Sequence, residues 1–185
     1  MKNLSKRVWA CMLALMLVVG LMPTTVDANE NVTSISNLEE LIAFRDAVNS
    51  GVDYAGKTVV LLADIDMSGV DWSVNIGDDC NFTFDGTFDG NGHTIKNLNS
   101  TETAQKGDGY VCTGLFGAIY GSASVKNLTL ENVNINAGAY TGNNVAALVG
   151  FAYNATGTIS NVKVTGTINA EDISGVGAIV GYVYN

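Results

Sequence analysis

Thr94-Ile95-Lys96-Asn97-Leu98, Ser124-Val125-Lys126-Asn127-Leu128 and Thr158-Ile159-Ser160-Asn161-Val162 are three versions of one phrase. Each runs through a hydroxyl residue, a β-branched residue, a polar residue, an asparagine and an aliphatic. The asparagines are 30 and 34 residues apart. A second series, Gly114-Leu115-Phe116-Gly117, Ala147-Leu148-Val149-Gly150 and Ala178-Ile179-Val180-Gly181, has its closing glycines 33 and 31 apart. Three residues past each closing glycine stands a tyrosine: Tyr120, Tyr153 and Tyr184. Two independent series with one period identify an internal repeat, and a repeat decides architecture before any site is sought.

A period of about 30–34 residues in a Val-, Ile-, Thr- and aromatic-rich chain describes a coil of short strands joined by turns. One coil cannot bury its apolar face alone, so coils stack at roughly 4.8 Å with like residue over like. The expected fold is an all-β solenoid. Val125 and Ile159 stack inward in it, as do Phe116, Val149 and Val180. Asn97, Asn127 and Asn161 form a ladder of side-chain amides, as amides do in stacked sheets. Gly117, Gly150 and Gly181 supply corners, by positive φ or by close backbone approach. Tyr120, Tyr153 and Tyr184 form a stacked ladder or an exposed aromatic strip, and the sequence does not choose between them.

The repeat is preceded by two different segments. Lys2, Lys6 and Arg7 lead into an apolar run from Val8 to Met22, followed by a polar stretch ending at Ala28. That layout is a secretory signal peptide over residues 1–28. The run is short of the roughly 20 residues a membrane span needs, which sets the anchor reading aside. Cleavage would remove Cys11, three of the nine basic residues and one of the eighteen acidic ones, leaving six against seventeen. So acidic a chain excludes nucleic-acid or anionic-membrane binding as its purpose, since both need basic surface. Membrane insertion after cleavage is not expected.

Ser36-Asn37-Leu38-Glu39 has the form of a helix capping box with Ser36 as N-cap. Leu38, Leu41, Ile42, Ala47 and Val48 then share a helical face, and Asn49-Ser50-Gly51 is a stop. A helix over about 36–50 is expected to cap the raw end of the solenoid, within a cap region 29–57. The coils follow over 58–185, opening with Thr58-Val59-Val60-Leu61-Leu62 as a buried strand and Asp64-Ile65-Asp66 as a strand edge. Val183-Tyr184-Asn185 lies inside a repeat unit with no capping pattern, so the chain is expected to continue into further repeats or domains.

Gly56-Lys57-Thr58-Val59, Leu62-Ala63-Asp64-Ile65-Asp66-Met67-Ser68-Gly69, Gly86-Thr87-Phe88-Asp89-Gly90-Asn91-Gly92-His93-Thr94-Ile95 and Gly114-Leu115-Phe116-Gly117 occur in that order. Together they resemble the start of the bacterial GLUG-motif proteins, large secreted or surface-attached chains. The likeness covers nearly all of residues 33–185, and Gly86 to His93 is its most specific part. The later copies depart from the motif, with Ala147 and Ala178 where its first glycine stands. The resemblance implies a right-handed parallel β-helix of pectate-lyase-like shape and a repeat or adhesion role. Some members of that family also carry a zinc peptidase that cleaves immunoglobulin A. Its His-Glu-x-x-His helix has no counterpart here, where His93 is the sole histidine.

Candidate chemistry is thin. Asp64, Asp66 and Ser68, ahead of Gly69, imitate the first half of a calcium loop, but Asn75 stands where the bidentate Glu belongs. A strand edge entering a turn is the preferred reading, so no metal is assigned. Asp85, Asp89, Asn91 and His93 cluster, yet Asp85 and Asp89 each precede a glycine, which is turn chemistry first. With one histidine, a catalytic triad or multi-histidine zinc site has no material. Cys80 and Cys112 are 32 residues apart, close to one period, and a disulfide between adjacent coils is possible in an oxidising compartment. Asn31, Asn81, Asn99, Asn127 and Asn154 begin Asn-x-Ser/Thr triplets. No catalytic residue and no cofactor is expected.

Two function classes fit these residues. One is a non-catalytic structural or adhesive module, secreted or attached to the bacterial cell surface, with glycans or host surface proteins as partners. The other is an accessory β-helix of a larger secreted enzyme, a peptidase or a polysaccharide-degrading protein.

Overall fold

Apolar residues alternating with polar ones over short stretches make strands, and here the strands stack as successive coils of one solenoid. The computed structural model describes residues 31–78, 82–102, 112–138, 144–171, 173 and 175–185. The expected signal peptide, 1–28, lies outside the described residues. In chain order the elements are β1 (Val32–Ile35), α1 (Leu38–Asn49), β2 (Thr58–Leu61), β3 (Ile65–Asp66), β4 (Thr87–Asp89), β5 (Thr94–Lys96), β6 (Asn99–Glu102) and β7 (Cys112–Thr113). They continue with β8 (Phe116–Tyr120), β9 (Ser124–Ala137), β10 (Asn144–Ala146), β11 (Val149–Tyr153), β12 (Ile159–Ala170), β13 (Gly175–Gly177) and β14 (Val180–Tyr184).

All pairings between these strands are parallel. β1, β2, β4, β9 and β12 lie side by side; β5 and β6 join the same sheet along the length of β9, and β3 pairs with β5. The second sheet is β7, β10 and β13, and the third is β8, β11 and β14. The chain thus visits three faces in turn and returns to the first, giving a β-solenoid of about three turns.

The register stacks like on like. Val59, Phe88, Val125 and Ile159 form one inward column, and Phe116, Val149 and Val180 form another. Val59, Phe88, Val125, Phe116 and Val149 are fully buried, each worth about 1.5–3 kcal/mol relative to exposure. On β9, Val125, Leu128, Leu130 and Ile135 are buried between neighbours on both sides. Their register partners Ile159, Val162, Val164 and Ile168 on β12, flanked on one side by β9, are only partly buried.

The helix begins one residue later than the sequence suggests. Asn37, not Ser36, is the N-cap, with extended φ −154 and ψ 171, and its side chain accepts the Glu40 N–H at 2.9 Å. Glu40, not Glu39, reaches back over the cap, accepting the N–H of Ser36, the residue before the cap, at 2.6 Å. Asparagine caps as well as serine does, so the pattern could slide by one. Ser50 ends the helix and Gly51 follows in left-handed backbone at φ 85. Leu41, Phe44 and Val48 are the buried face. Phe44 meets the rings of Tyr54 at 5.1 Å and Phe84 at 5.6 Å, both edge-on, and Phe88 at 6.0 Å. The helix therefore covers the aromatic core of the first coils. No helix among the described residues is long and apolar enough to cross a membrane.

Candidate functional site

Two exposed features run along the coil axis: polar side-chain columns on the first sheet and an aromatic face on the third.

The polar columns start from turns that asparagine makes possible. Asn91, Asn97, Asn127, Asn132, Asn154 and Asn161 all have φ between 44 and 61, the left-handed region that asparagine tolerates better than other residues bearing a Cβ. The side chains of Asn97, Asn127, Asn132 and Asn161 then bond to a neighbouring coil. Asn161 donates its amide to Asn127 Oδ1 at 2.9 Å, and Asn127 donates to Asp89 Oδ1 at 3.0 Å. Asn132 donates to Asn97 Oδ1 at 2.7 Å, and Asn97 donates to Asp66 Oδ1 at 2.8 Å and Ser68 Oγ at 2.9 Å. The single expected ladder is therefore two columns, with Asn97 in a different one from Asn127 and Asn161. Ser124-Val125-Lys126-Asn127 and Thr129-Leu130-Glu131-Asn132 share a pattern of hydroxyl, aliphatic, charge and asparagine, and residues 94–96 pair with the second.

Each column ends on a carboxylate. Asp66 accepts from the Asn97 amide and from the Ser68 hydroxyl and N–H, which together hold its pKa down at about 2. Partial burial pushes Asp89 up, but the Asn127 amide, the Asn91 N–H and Lys126 at 3.3 Å outweigh it and leave the group lowered. Asp64 is lowered by the Thr94 N–H at 2.9 Å and then by His93, whose Nδ1 lies 3.2 Å away. Asp85 goes the other way, raised first by burial and then by the neighbouring Asp53.

Of the residues weighed for calcium, Asp66 and Ser68 form a closed turn in which Asp66 Oδ1 is shared between Ser68 and Asn97, while Asp64 Oδ1 faces Thr94 N and His93 Nδ1 instead. Asn75, at the place of the missing Glu, is fully buried and bonded to Asp78, Gly114 and the Cys112 carbonyl. Among the described residues, no group of three His, Cys, Asp or Glu side chains is placed to hold a metal. Cys112 is buried on β7 with the Asn144 amide 3.9 Å from its sulfur. Cys80 lies outside the described residues, and so does the geometry of the expected bridge.

Gly117, Gly150 and Gly181, expected at corners, lie inside β8, β11 and β14 without positive φ, and what they supply is close backbone approach. A Cβ on Gly117, Gly150 or Gly181 would fall 2.7 Å from Gly77 O, Thr113 N or Gly150 O respectively. Tyr120, Tyr153 and Tyr184 follow on β8, β11 and β14 in direct register. They are both stacked and exposed. Tyr120 and Tyr153 have centroids 5.7 Å apart, and Tyr153 and Tyr184 5.6 Å. All three are about half exposed. A second column, Ala118, Phe151 and Tyr182, runs beside them, with Phe151 5.9 Å from both Tyr153 and Tyr182. The sequence carried a signal for this column in the alternation Phe151-Ala152-Tyr153 and Tyr182-Val183-Tyr184, which turns the aromatics to one side.

No family model matches the chain. A segment of halomucin from Haloquadratum walsbyi is 33% identical over 168 residues, which is 86% of this chain and 2% of halomucin. The chain therefore spans a small part of that relative's length. A solved structure of a putative immunoglobulin A1 protease from Bacteroides ovatus aligns with 82% of this chain and 62% of its own, at 20% identity and TM-score 0.38. So low a score adds nothing to the strand register above, on which the fold rests. The chain is a β-helix module distantly related to a halomucin segment.

Proposed function

We propose that this chain is a non-catalytic, extracellular repeat module that serves as a rigid structural or adhesive element and presents its side faces to partners outside the cell. The observation that carries the reading is what the polar side chains do. Asp66, Asp89, Asn97, Asn127, Asn132 and Asn161 are spent on one another up the coil axis. Carboxylates held ionised in this way are poor proton donors at neutral pH, whereas acid–base chemistry needs a group titrating near the working pH. The acidic composition and the N-terminal pattern support an exported chain kept soluble by self-repulsion.

The test is a turnover screen of the full chain against polysaccharide and peptide substrates, paired with limited proteolysis. Absence of product, together with protease resistance of the coils, is the expected result. Product formation that disappears in Asp89→Asn or Asp85→Asn would overturn the reading.

A further inference from the structure

We propose that the aromatic face of β8, β11 and β14 is a binding site for a neutral polysaccharide, laid along the coil axis across Tyr120, Tyr153 and Tyr184. This deepens the reading of the chain as an extracellular module and rests on it.

The geometry specifies an amphipathic ligand. Within the tyrosine column the rings turn their faces toward each other, tilted by 22° to 30°. What each ring offers solvent is therefore an apolar edge and a phenolic hydroxyl, repeated at the coil spacing. Phe151 and Tyr182 widen the apolar part into a second column, and Tyr182 is 46% exposed. A pyranose matches such a surface, having C–H patches beside a girdle of hydroxyls. A polymer of them engages successive coils, and each contact after the first is intramolecular.

Charge narrows the class. Phe116-Gly117-Ala118-Ile119-Tyr120, Val149-Gly150-Phe151-Ala152-Tyr153 and Val180-Gly181-Tyr182-Val183-Tyr184 contain no ionisable residue other than tyrosine. No Lys or Arg in these strands is available to pair a carboxylate, sulfate or phosphate, and the chain's net charge of −9 repels an anionic polymer. The same charge opposes a second copy of the chain on this face. Stacking also fixes the tyrosines before any ligand arrives, and that lowers the ordering cost of binding.

The test is affinity electrophoresis of the full chain in native gels cast with hydroxyethyl cellulose, galactomannan or soluble β-glucan, and in parallel with polygalacturonate and dextran sulfate. Retardation by at least one neutral polymer and by neither anionic one is expected. Tyr153→Ala with Tyr184→Ala should weaken retention by about tenfold, the scale of truncating an aromatic anchor. Tyr153→Phe with Tyr184→Phe keeps the stacked rings and should weaken it by about fivefold through the lost hydroxyls. No retardation by any neutral polymer, retardation by the anionic ones alone, or retention unchanged in both double variants would overturn the proposal. So would dimerisation of the wild type that the alanine pair abolishes, which assigns the face to a second copy. Loss of glycan binding with no turnover leaves the module reading standing, so the two can fail separately.

Discussion

Asn161 donates its side-chain amide to the Asn127 side-chain carbonyl at 2.9 Å, and both residues stand in left-handed backbone, at φ 51 and 54. One residue type thus serves two needs: it turns the chain at the corner and ties that corner to the next coil. The two contributions can be separated by substitution.

Asn127→Gly keeps the left-handed turn and loses the amide, whereas Asn127→Ala loses both. Loss of the hydrogen bonds costs about 1 kcal/mol, and forcing alanine into left-handed backbone adds about 1–2 kcal/mol. Urea unfolding should therefore rank wild type above Asn127→Gly and Asn127→Gly above Asn127→Ala. An alanine variant as stable as the glycine variant would refute the turn role.

Acid should loosen the polar columns. Asp66 is depressed to about 2, and Asp64 and Asp89 are also lowered. A carboxylate whose folded pKa lies below its unfolded value of about 3.9 contributes stability above that value. The contribution is lost as pH falls toward the folded pKa, here between about 4 and 2. Thermal midpoints measured across that window should fall, and Asp66→Asn should fall less steeply. An unchanged slope in Asp66→Asn would contradict the assignment.

Asp85 has the opposite sign. Burial and Asp53 raise its folded pKa, so the folded state takes up a proton before the unfolded state does. Stability is gained as pH falls through that raised value and is absent well above it. Asp85→Asn should be more stable than wild type at neutral pH, with the difference shrinking on mild acidification. The Asp85 oxygen that accepts the Tyr54 N–H at 3.1 Å survives as the amide carbonyl. A variant less stable than wild type at pH 7 would rule out this account.

Gly150→Ala should be costly because its Cβ would stand 2.7 Å from Thr113 N, in rigid backbone. Such overpacking costs about 1–3 kcal/mol. Gly181→Ala lies 2.7 Å from Gly150 O and should behave alike. A neutral Gly150→Ala in denaturant unfolding would mean that the coils are less closely stacked than described.

The inward columns were legible in the sequence because apolar residues have one place to go. Val125 over Ile159, and Phe116 over Val149 and Val180, follow from the repeat alone. The polar columns were less legible. Residues 124–127 and 129–132 carry the same pattern within one coil, and nothing in the sequence says which one lies over Thr94-Ile95-Lys96-Asn97. Coil length varies too, so counting a period does not settle register. Phe44 was missed on the helix because its partners Tyr54, Phe84 and Phe88 lie outside the helix, where helical periodicity carries no signal of them. At the aromatic face, the tyrosines were visible as a series. That they are both stacked and exposed depends on which side of β11 and β14 faces water.

In-register stacking of the coils is tested most directly by double-mutant cycles among Asn97, Asn127 and Asn161, each replaced by glycine so that the turns are preserved. Asn127 and Asn161 should couple by about 0.5–1 kcal/mol in urea unfolding, while Asn97 and Asn127, in separate columns, should be additive within about 0.3–0.5 kcal/mol. Coupling between Asn97 and Asn127, with additivity between Asn127 and Asn161, would contradict the register and every column built on it.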